Sequence, residues 1–361
     1  MRAARALIDI SALQHNLEHI RQLAPGRKIM AMLKANGYGH GLVRVGHALK
    51  AADALGVACV EEALELRDAG IENEIVVLEG FFASREIPLM AKRGFTTVVH
   101  HEKQLAALEE TPTETPLKVW LKIDTGMHRL GFPPEQVADA HARLGQIAWV
   151  QQPVGLLSHL ASADEVNNPA TTAQLKCFKE LTRGWAGERS LSNSAAVLAW
   201  PETHFDWVRP GLLLFGCSPM AGLTGAEHGL KPVMTLESQV FALRQLKKGD
   251  RVGYGGAWTA DRDTTIGVVA MGYGDGYPRH APTGTPVFIR DRICPLVGRV
   301  SMDMLTVDLG PDADIAIGDR AVLWGPELPI ERVAEAAGTI AYDLLCAVTP
   351  RVPFSSVNER R

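Results

Sequence analysis

The chain has no apolar stretch of about 18 residues, the length a membrane-spanning helix needs. Its opening, residues 1–10, carries arginines but no apolar core ahead of Asp9, so it does not read as a signal peptide. Cysteine is scarce: Cys59, Cys177, Cys217, Cys294 and Cys346 are odd in number, far apart and never in a CxxC pair. That pattern excludes a disulfide framework and a zinc ribbon, and it fits a reducing, cytoplasmic compartment. No basic run stands out and the formal net charge is −4. Nucleic acid and membrane surfaces are therefore not the expected partners. His40, His100, His101 and His159 lack compact metal-ligand spacing, which speaks against a metal-dependent hydrolase. Internal repeats and low-complexity segments are absent.

What is present is ordinary globular material, 46% hydrophobic and 22% charged, in 361 residues. That is too long for one ordinary core and suits a barrel-sized domain with a smaller companion. Ser11 reads as a helix N-cap, with Leu13, Leu17, Ile20 and Leu23 at helical spacing behind it. Eight short apolar runs follow, at 29–33, 55–58, 75–78, 95–99, 117–121, 154–157, 190–191 and 208–214. Amphipathic segments such as 60–69 and 104–109 separate most of them. This alternation argues for parallel βαβ units, and eight of them for a closed TIM-type (β/α)8 barrel. The run at 190–191 has the weakest strand character, and an open doubly wound sheet is the competing architecture. From about residue 230 the pattern turns β-rich, with runs at 235–243, 265–270, 285–289, 304–309 and 320–323, while 329–345 reads as partly helical. The expected division is an α/β barrel over 11–229 and a mostly β domain over 230–361, which residues 1–10 join as a strand.

In a parallel barrel, reactive groups collect where the strands end. Lys34 follows the first run and opens a glycine-rich loop; Lys122 follows the fifth; Ser158-His159, Ser192-Asn193-Ser194 and Arg209-Pro210-Gly211 follow or adjoin later ones. A lysine at a buried strand end is partly desolvated, which frees its amine to form a Schiff base. A lysine snorkelling from the sheet edge accounts for the same position equally well.

The segment KANGYGHG, from Lys34 to Gly41, resembles the cofactor-lysine motif of alanine racemases, with Gly37 where the family usually has Ala. KIDTGMHRLG, SHLASAD, SNS, DWVRPG, VGYGG, GYGDGYPR, GRVSMD and AYDLLC resemble further family motifs, in family order along nearly the whole chain. This resemblance implies a pyridoxal 5'-phosphate enzyme that interconverts L- and D-alanine, supplying D-alanine for peptidoglycan or handling it in catabolism. It implies a homodimer whose active sites are shared between subunits. Lys34 would carry the cofactor and serve as base for D-alanine, and Tyr254 would be the base for L-alanine. Arg209 would face the pyridine nitrogen, with His159 between Arg209 and Tyr254. Tyr38, Asn193, Ser194, Gly211, Leu212 and Tyr342 would complete the cofactor site, and Asp343 stands where the family often has Glu. Arg129 and the backbone of Met302 would take the substrate carboxylate. Lys122 matches a lysine that is often carbamylated, and Asp164, Tyr273, Arg279 and Arg299 match positions along the access channel. Two relatives on the same cofactor compete, a broad-specificity racemase and a basic-amino-acid decarboxylase. Arg209 argues against the decarboxylase, which needs a carboxylate at the ring nitrogen. A non-catalytic cofactor carrier would lack both Tyr254 and the β domain.

Overall fold

A computed structural model describes residues 2–358. Strand β1 (Arg5–Asp9) runs directly into helix α1 (Ile10–Leu23). The carboxylate of Asp9 accepts the Ala12 N–H at 2.9 Å and the Ser11 hydroxyl at 2.8 Å. Asp9 is therefore the cap, and Ser11 lies one residue inside the helix. A carboxylate at that position also favours the positive end of the helix dipole.

The chain forms two compact units. One comprises Asn16–Leu214 with Pro219–Ala221; the other comprises the described residues up to His15, Phe215–Ser218 and those from Gly222 onward. The first is a closed barrel of eight parallel strands: β2 (Lys28–Met32), β3 (Ala54–Val57), β4 (Glu74–Val77), β5 (Phe95–Val99), β6 (Lys118–Lys122), β7 (Gly155–Leu157), β8 (Arg189–Ser190) and β9 (Trp207–Val208). β9 closes onto β2, with Lys28 opposite Trp207 and Ile29 opposite Val208. The barrel is thus the architecture, and the open-sheet alternative is excluded. The weak run at 190–191 is a real strand of only two residues. The run at 208–214 is strand only at its start. Pro210 offers no N–H to a ladder, and Leu212–Phe215 is instead a tight helical turn. Inside the barrel the rings of Trp120 and Trp207 meet edge-on, 6.2 Å apart. Gly155 on β7 makes room for this: a Cβ there would fall 2.6 Å from the Trp120 ring.

The second unit is mostly β. Its strands are β1, β10 (Met234–Leu246), β11 (Arg251–Val252), β12 (Trp258–Thr259), β13 (Thr264–Val269), β14 (Pro286–Ile289), β15 (Arg292–Pro295), β16 (Leu305–Gly310), β17 (Arg320–Trp324) and β18 (Phe354–Val357). The main sheet runs β15-β14-β17-β10-β1-β18, and β13 and β16 continue from β10. The N-terminal strand is enclosed in this sheet, antiparallel to β10 and parallel to β18. Two helices, Ile330–Ala337 and Ala341–Ala347, lie in the stretch read as partly helical.

Candidate active site

Lys34 stands just past β2, exposed, at the start of an unusual turn. Ala35, Asn36 and Gly37 have φ of 55, 56 and 61°, and Tyr38 has φ of 51°. Residues 35–38 therefore wind left-handed. This costs about 1–2 kcal/mol for each residue with a side chain, so neighbours must enforce it. They do. Leu42 N–H donates to Asn36 Oδ1 at 2.8 Å, and Ala35 N–H to Glu62 Oε1 at 2.8 Å. The His40 ring sits 2.8 Å from the Tyr38 carbonyl and 3.2 Å from that of Gly37 through Nδ1. Gly37 suits the turn: a Cβ there would lie 3.1 Å from Val45 Cγ2.

The turn delivers the buried Tyr38 side chain to the loop after β9. An added Cβ on Gly211 would fall 2.2 Å from the Tyr38 hydroxyl, so only glycine admits that oxygen. The Gly211 N–H donates to Ser194 Oγ at 2.9 Å. Tyr38, Ser194 and the Gly211-Leu212 backbone thus meet in one small cradle. Asn193 caps the helix Ser194–Ala199, accepting from Ala196 N–H at 3.0 Å and donating to the Leu160 carbonyl at 3.3 Å.

Arg209 is the buried hub of the barrel mouth. Its guanidinium donates to Ser190 Oγ at 2.6 Å, the Ser158 carbonyl at 2.5 Å and the Leu191 carbonyl at 3.3 Å. It reaches His159 Nδ1 at 3.4 Å. Burial lowers Arg209 to about 10, which still leaves it a cation at neutral pH. Burial, then Arg209, Lys122, Arg129 and Lys34, push His159 well below the ordinary histidine value. A neutral His159 accepts the Arg209 N–H on Nδ1 and keeps its proton on Nε2. Gln174, in the helix Pro169–Leu181, donates to the His159 carbonyl at 3.0 Å and accepts from Ala161 N–H at 2.9 Å. The Ser158 hydroxyl donates to the Ile123 carbonyl at 2.7 Å. Ser190 and Gln174 escaped the sequence reading; Gln174 lies mid-helix and carries no local signal.

The desolvated strand-end lysine is Lys122, not Lys34, because Lys122 is still part of β6 while Lys34 has emerged from its strand. Burial, Arg209, Arg129 and Lys34 lower Lys122 to about 8, against a partial offset from Glu79. Arg129 and Asp164 are exposed in the loops after β6 and β7. Among the described residues no group of three or more His, Cys, Asp or Glu is placed to hold a metal ion.

The remaining expected residues lie in the β unit. Tyr254 sits in the turn Tyr254–Gly256, is 69% exposed, and its hydroxyl has no hydrogen-bond partner among the described residues. Arg251 donates to the carbonyls of Gly255 and Gly256 at 2.9 and 3.0 Å, bracing that turn. The Arg299 backbone lies close to Gly253. Tyr273 and Met302 are joined through backbone: Tyr273 N–H donates to the Ser301 carbonyl at 3.0 Å and Gly274 N–H to that of Met302 at 2.8 Å. Arg279 and Arg299 are exposed, and Tyr342 is half-buried in the helix Ala341–Ala347.

Two family models match the chain, "Alanine racemase, N-terminal domain" over residues 8–219 and "Alanine racemase, C-terminal domain" over 233–356. The chain is 53% identical to the alanine racemase of Vibrio parahaemolyticus over 352 residues, 98% of each chain. It is 54% identical to that of Shewanella sediminis over 348 residues, 96% of this chain and 97% of the relative. Among solved structures it resembles the biosynthetic alanine racemase from Pseudomonas aeruginosa, with TM-score 0.96 and 46% identity over 99% of this chain and 100% of that one. The alanine racemase from Acinetobacter baumannii gives TM-score 0.93 and 39% identity, again over 99% and 100%.

Proposed function

The chain belongs to the alanine racemase family, and from that premise we propose that it interconverts L- and D-alanine with pyridoxal phosphate held at the barrel mouth. The observation that carries this reading is the donor set. Lys34, Lys122, Arg129 and Arg209 act together on one half-buried histidine, His159, beside a glycine-lined cradle holding a tyrosine and a serine hydroxyl. Such an excess of cations at a partly buried site favours an anionic occupant. A phosphate fits the cradle of Tyr38, Ser194 and the Gly211 and Leu212 backbone, which Asn193 supports. Bound there through Lys34, pyridoxal phosphate would supply an electron-poor ring that acidifies the α-hydrogen of an amino acid.

This chain's own groups do the rest. Inversion at Cα requires a proton to leave one face and another to arrive on the opposite face. The Lys34 amine takes and returns the proton of D-alanine, and the Tyr254 phenol that of L-alanine. Arg209 stays charged, donates and does not readily give up a proton. Beside the ring nitrogen of a bound cofactor it would restrain the side reactions that a protonated ring favours. Neutral His159, held by Arg209 on Nδ1, offers its Nε2–H toward Tyr254 and stabilises the ionised phenol. Arg129 and the Met302 N–H receive the substrate carboxylate, and Asp164, Tyr273, Arg279 and Arg299 line the channel.

Lys122 fits a carbamate. With a pKa near 8, roughly a fifth of it is the neutral amine that reacts with carbon dioxide at about pH 7.4. The product is an anion, which relieves the crowding of cations and holds Arg129.

Tyr254, Tyr273 and Met302 are large side chains left 69, 38 and 53% exposed on neighbouring loops. That exposure supports a homodimer in which a second copy supplies Tyr254 to the barrel of the first. Five free cysteines support a reducing, cytoplasmic setting, and among the described residues no helix is long and apolar enough to cross a membrane. Whether the D-alanine made is built into peptidoglycan or D-alanine is degraded, the chemistry is the same. The test is racemisation of alanine by the protein supplied with pyridoxal phosphate, followed by borohydride treatment and peptide mapping. The expected result is D-alanine from L-alanine and a cofactor-modified peptide containing Lys34. A modified peptide without Lys34, or equal turnover of lysine or arginine, overturns the assignment.

A further inference from the structure

We propose that a closed ring of four alternating charges, Arg2, Asp275, Arg351 and Asp303, is a positioning device. It sets the substrate-carboxylate donor at Met302 and the channel residue Tyr273. The inference rests on the roles proposed above for those two residues.

The Asp275 carboxylate has only 1% of its surface exposed, yet two donors and a second arginine surround it. Gly272 N–H reaches Oδ2 at 2.9 Å, Arg2 reaches the same oxygen at 2.8 Å, and Arg351 Nε lies 3.2 Å from Oδ1. One arginine would neutralise this charge. The second is explained by what the two do next. Arg351 pairs with Asp303 through its other nitrogen, and Arg2 NH1 lies 3.7 Å from Asp303 while Arg2 NH2 donates to the Asp303 carbonyl at 2.9 Å. The ring thus joins the turn at 272–276 to the turn at 301–304, the two segments that carry Tyr273 and Met302.

The backbone of both turns is clamped by hydrogen bonds, while among the described residues the N–H groups of Met302, Asp303 and Met304 are left over. Ser301 N–H bonds the Met304 carbonyl at 2.9 Å, and the carbonyls of Ser301 and Met302 accept from Tyr273 and Gly274. The Met302 N–H has no partner among the described residues. A clamped turn with unspent N–H groups, that of Met302 among them, is suited to a carboxylate. Gly274 shows how close the clamp is, since a Cβ there would fall 2.6 Å from the Arg351 guanidinium and 3.0 Å from the Met302 carbonyl. The ring also gives residues near the two ends of the sequence, Arg2 and Arg351, a part in substrate capture.

The test compares Arg2→Ala, Arg2→Lys and Asp275→Asn in the cofactor-loaded enzyme, with alanine in both directions and propionate as a carboxylate-only competitor. Arg2→Ala is expected to raise KM for both alanine enantiomers, and weaken propionate, by roughly three- to tenfold, with kcat within about twofold. Arg2→Lys should recover most of that loss, and Asp275→Asn should show the same KM-weighted pattern. The cofactor absorbance should not move. An unchanged KM and unchanged propionate binding in Arg2→Ala overturn the inference, as does a fall in kcat and thermal stability with KM unmoved. If the unmodified enzyme does not racemise alanine, the functional reading itself fails, and this inference with it.

Discussion

Acid should loosen the turn that presents Lys34, and His40 lets the size be worked out. His40 is fully buried, its ring against the carbonyls of Gly37 and Tyr38, and burial takes it from 6.5 to about 4. The folded state therefore binds this proton more weakly than the unfolded chain does. A group with a depressed histidine pKa stabilises the fold above its unfolded value and loses that stability as pH falls below it. Going from about pH 7.5 to about pH 5.5, the unfolded His40 gains about 0.8 of a proton and the folded one almost none. The linkage integral over that interval is about 1.3 kcal/mol. His159 is shifted in the same direction, and burial lowers His100, His141 and His204 as well, so their losses add to this one. Urea unfolding at both pH values measures the total. His40→Gln should reduce the difference between the two pH values by about 1.3 kcal/mol, whatever it does to stability at either one. An identical pH dependence in wild type and variant would refute the claim that His40 is held neutral in the fold.

Gly211→Ala places a methyl 2.2 Å from the Tyr38 hydroxyl. It should weaken pyridoxal phosphate by about 1–3 kcal/mol while the barrel still folds, as read by cofactor titration beside far-UV circular dichroism. Arg209→Met removes the largest charge contribution that depresses Lys122. The Lys122 pKa should rise, and the carbamate signal from 13C-labelled carbon dioxide, followed by NMR at neutral pH, should fall. An undiminished signal would mean that Arg209 does not tune this lysine.

Much of the barrel was legible because its strands are buried on both faces. Continuous apolar runs bounded by charged helices mark such strands without any knowledge of their partners. The ends were less legible. At 190–191 pairing with neighbours makes a strand of a segment too short to announce itself. At 208–214 Pro210 and Gly211 stop a strand that apolar composition would continue. Strands β11, β12, β15 and β18 are two to four residues long and half-exposed, and hydropathy does not register them. Asp9 outcompeted Ser11 as cap because β1 runs into the helix without a linker. Within the site, the motif residues were legible as types at strand ends, but their states were not. Ala35, Asn36 and Tyr38 give no hint of a left-handed turn, since contacts from Glu62, Leu42 and His40 impose it. Nor does sequence say which of two strand-end lysines is desolvated; that depends on where each strand ends, which leaves Lys122 within β6 and Lys34 beyond β2. In the ring of Arg2, Asp275, Arg351 and Asp303 bonded partners lie up to 301 positions apart, and it has no local signature.

The central claim is that one chain's Lys34 and another's Tyr254 serve the same alanine molecule. Co-expression of Lys34→Ala and Tyr254→Phe chains tests it, since neither homodimer has an intact pair. If sites are shared, random pairing makes half the dimers mixed, each with one complete site, and roughly a quarter of wild-type activity returns. Activity no higher than that of the two separate variants would contradict the account.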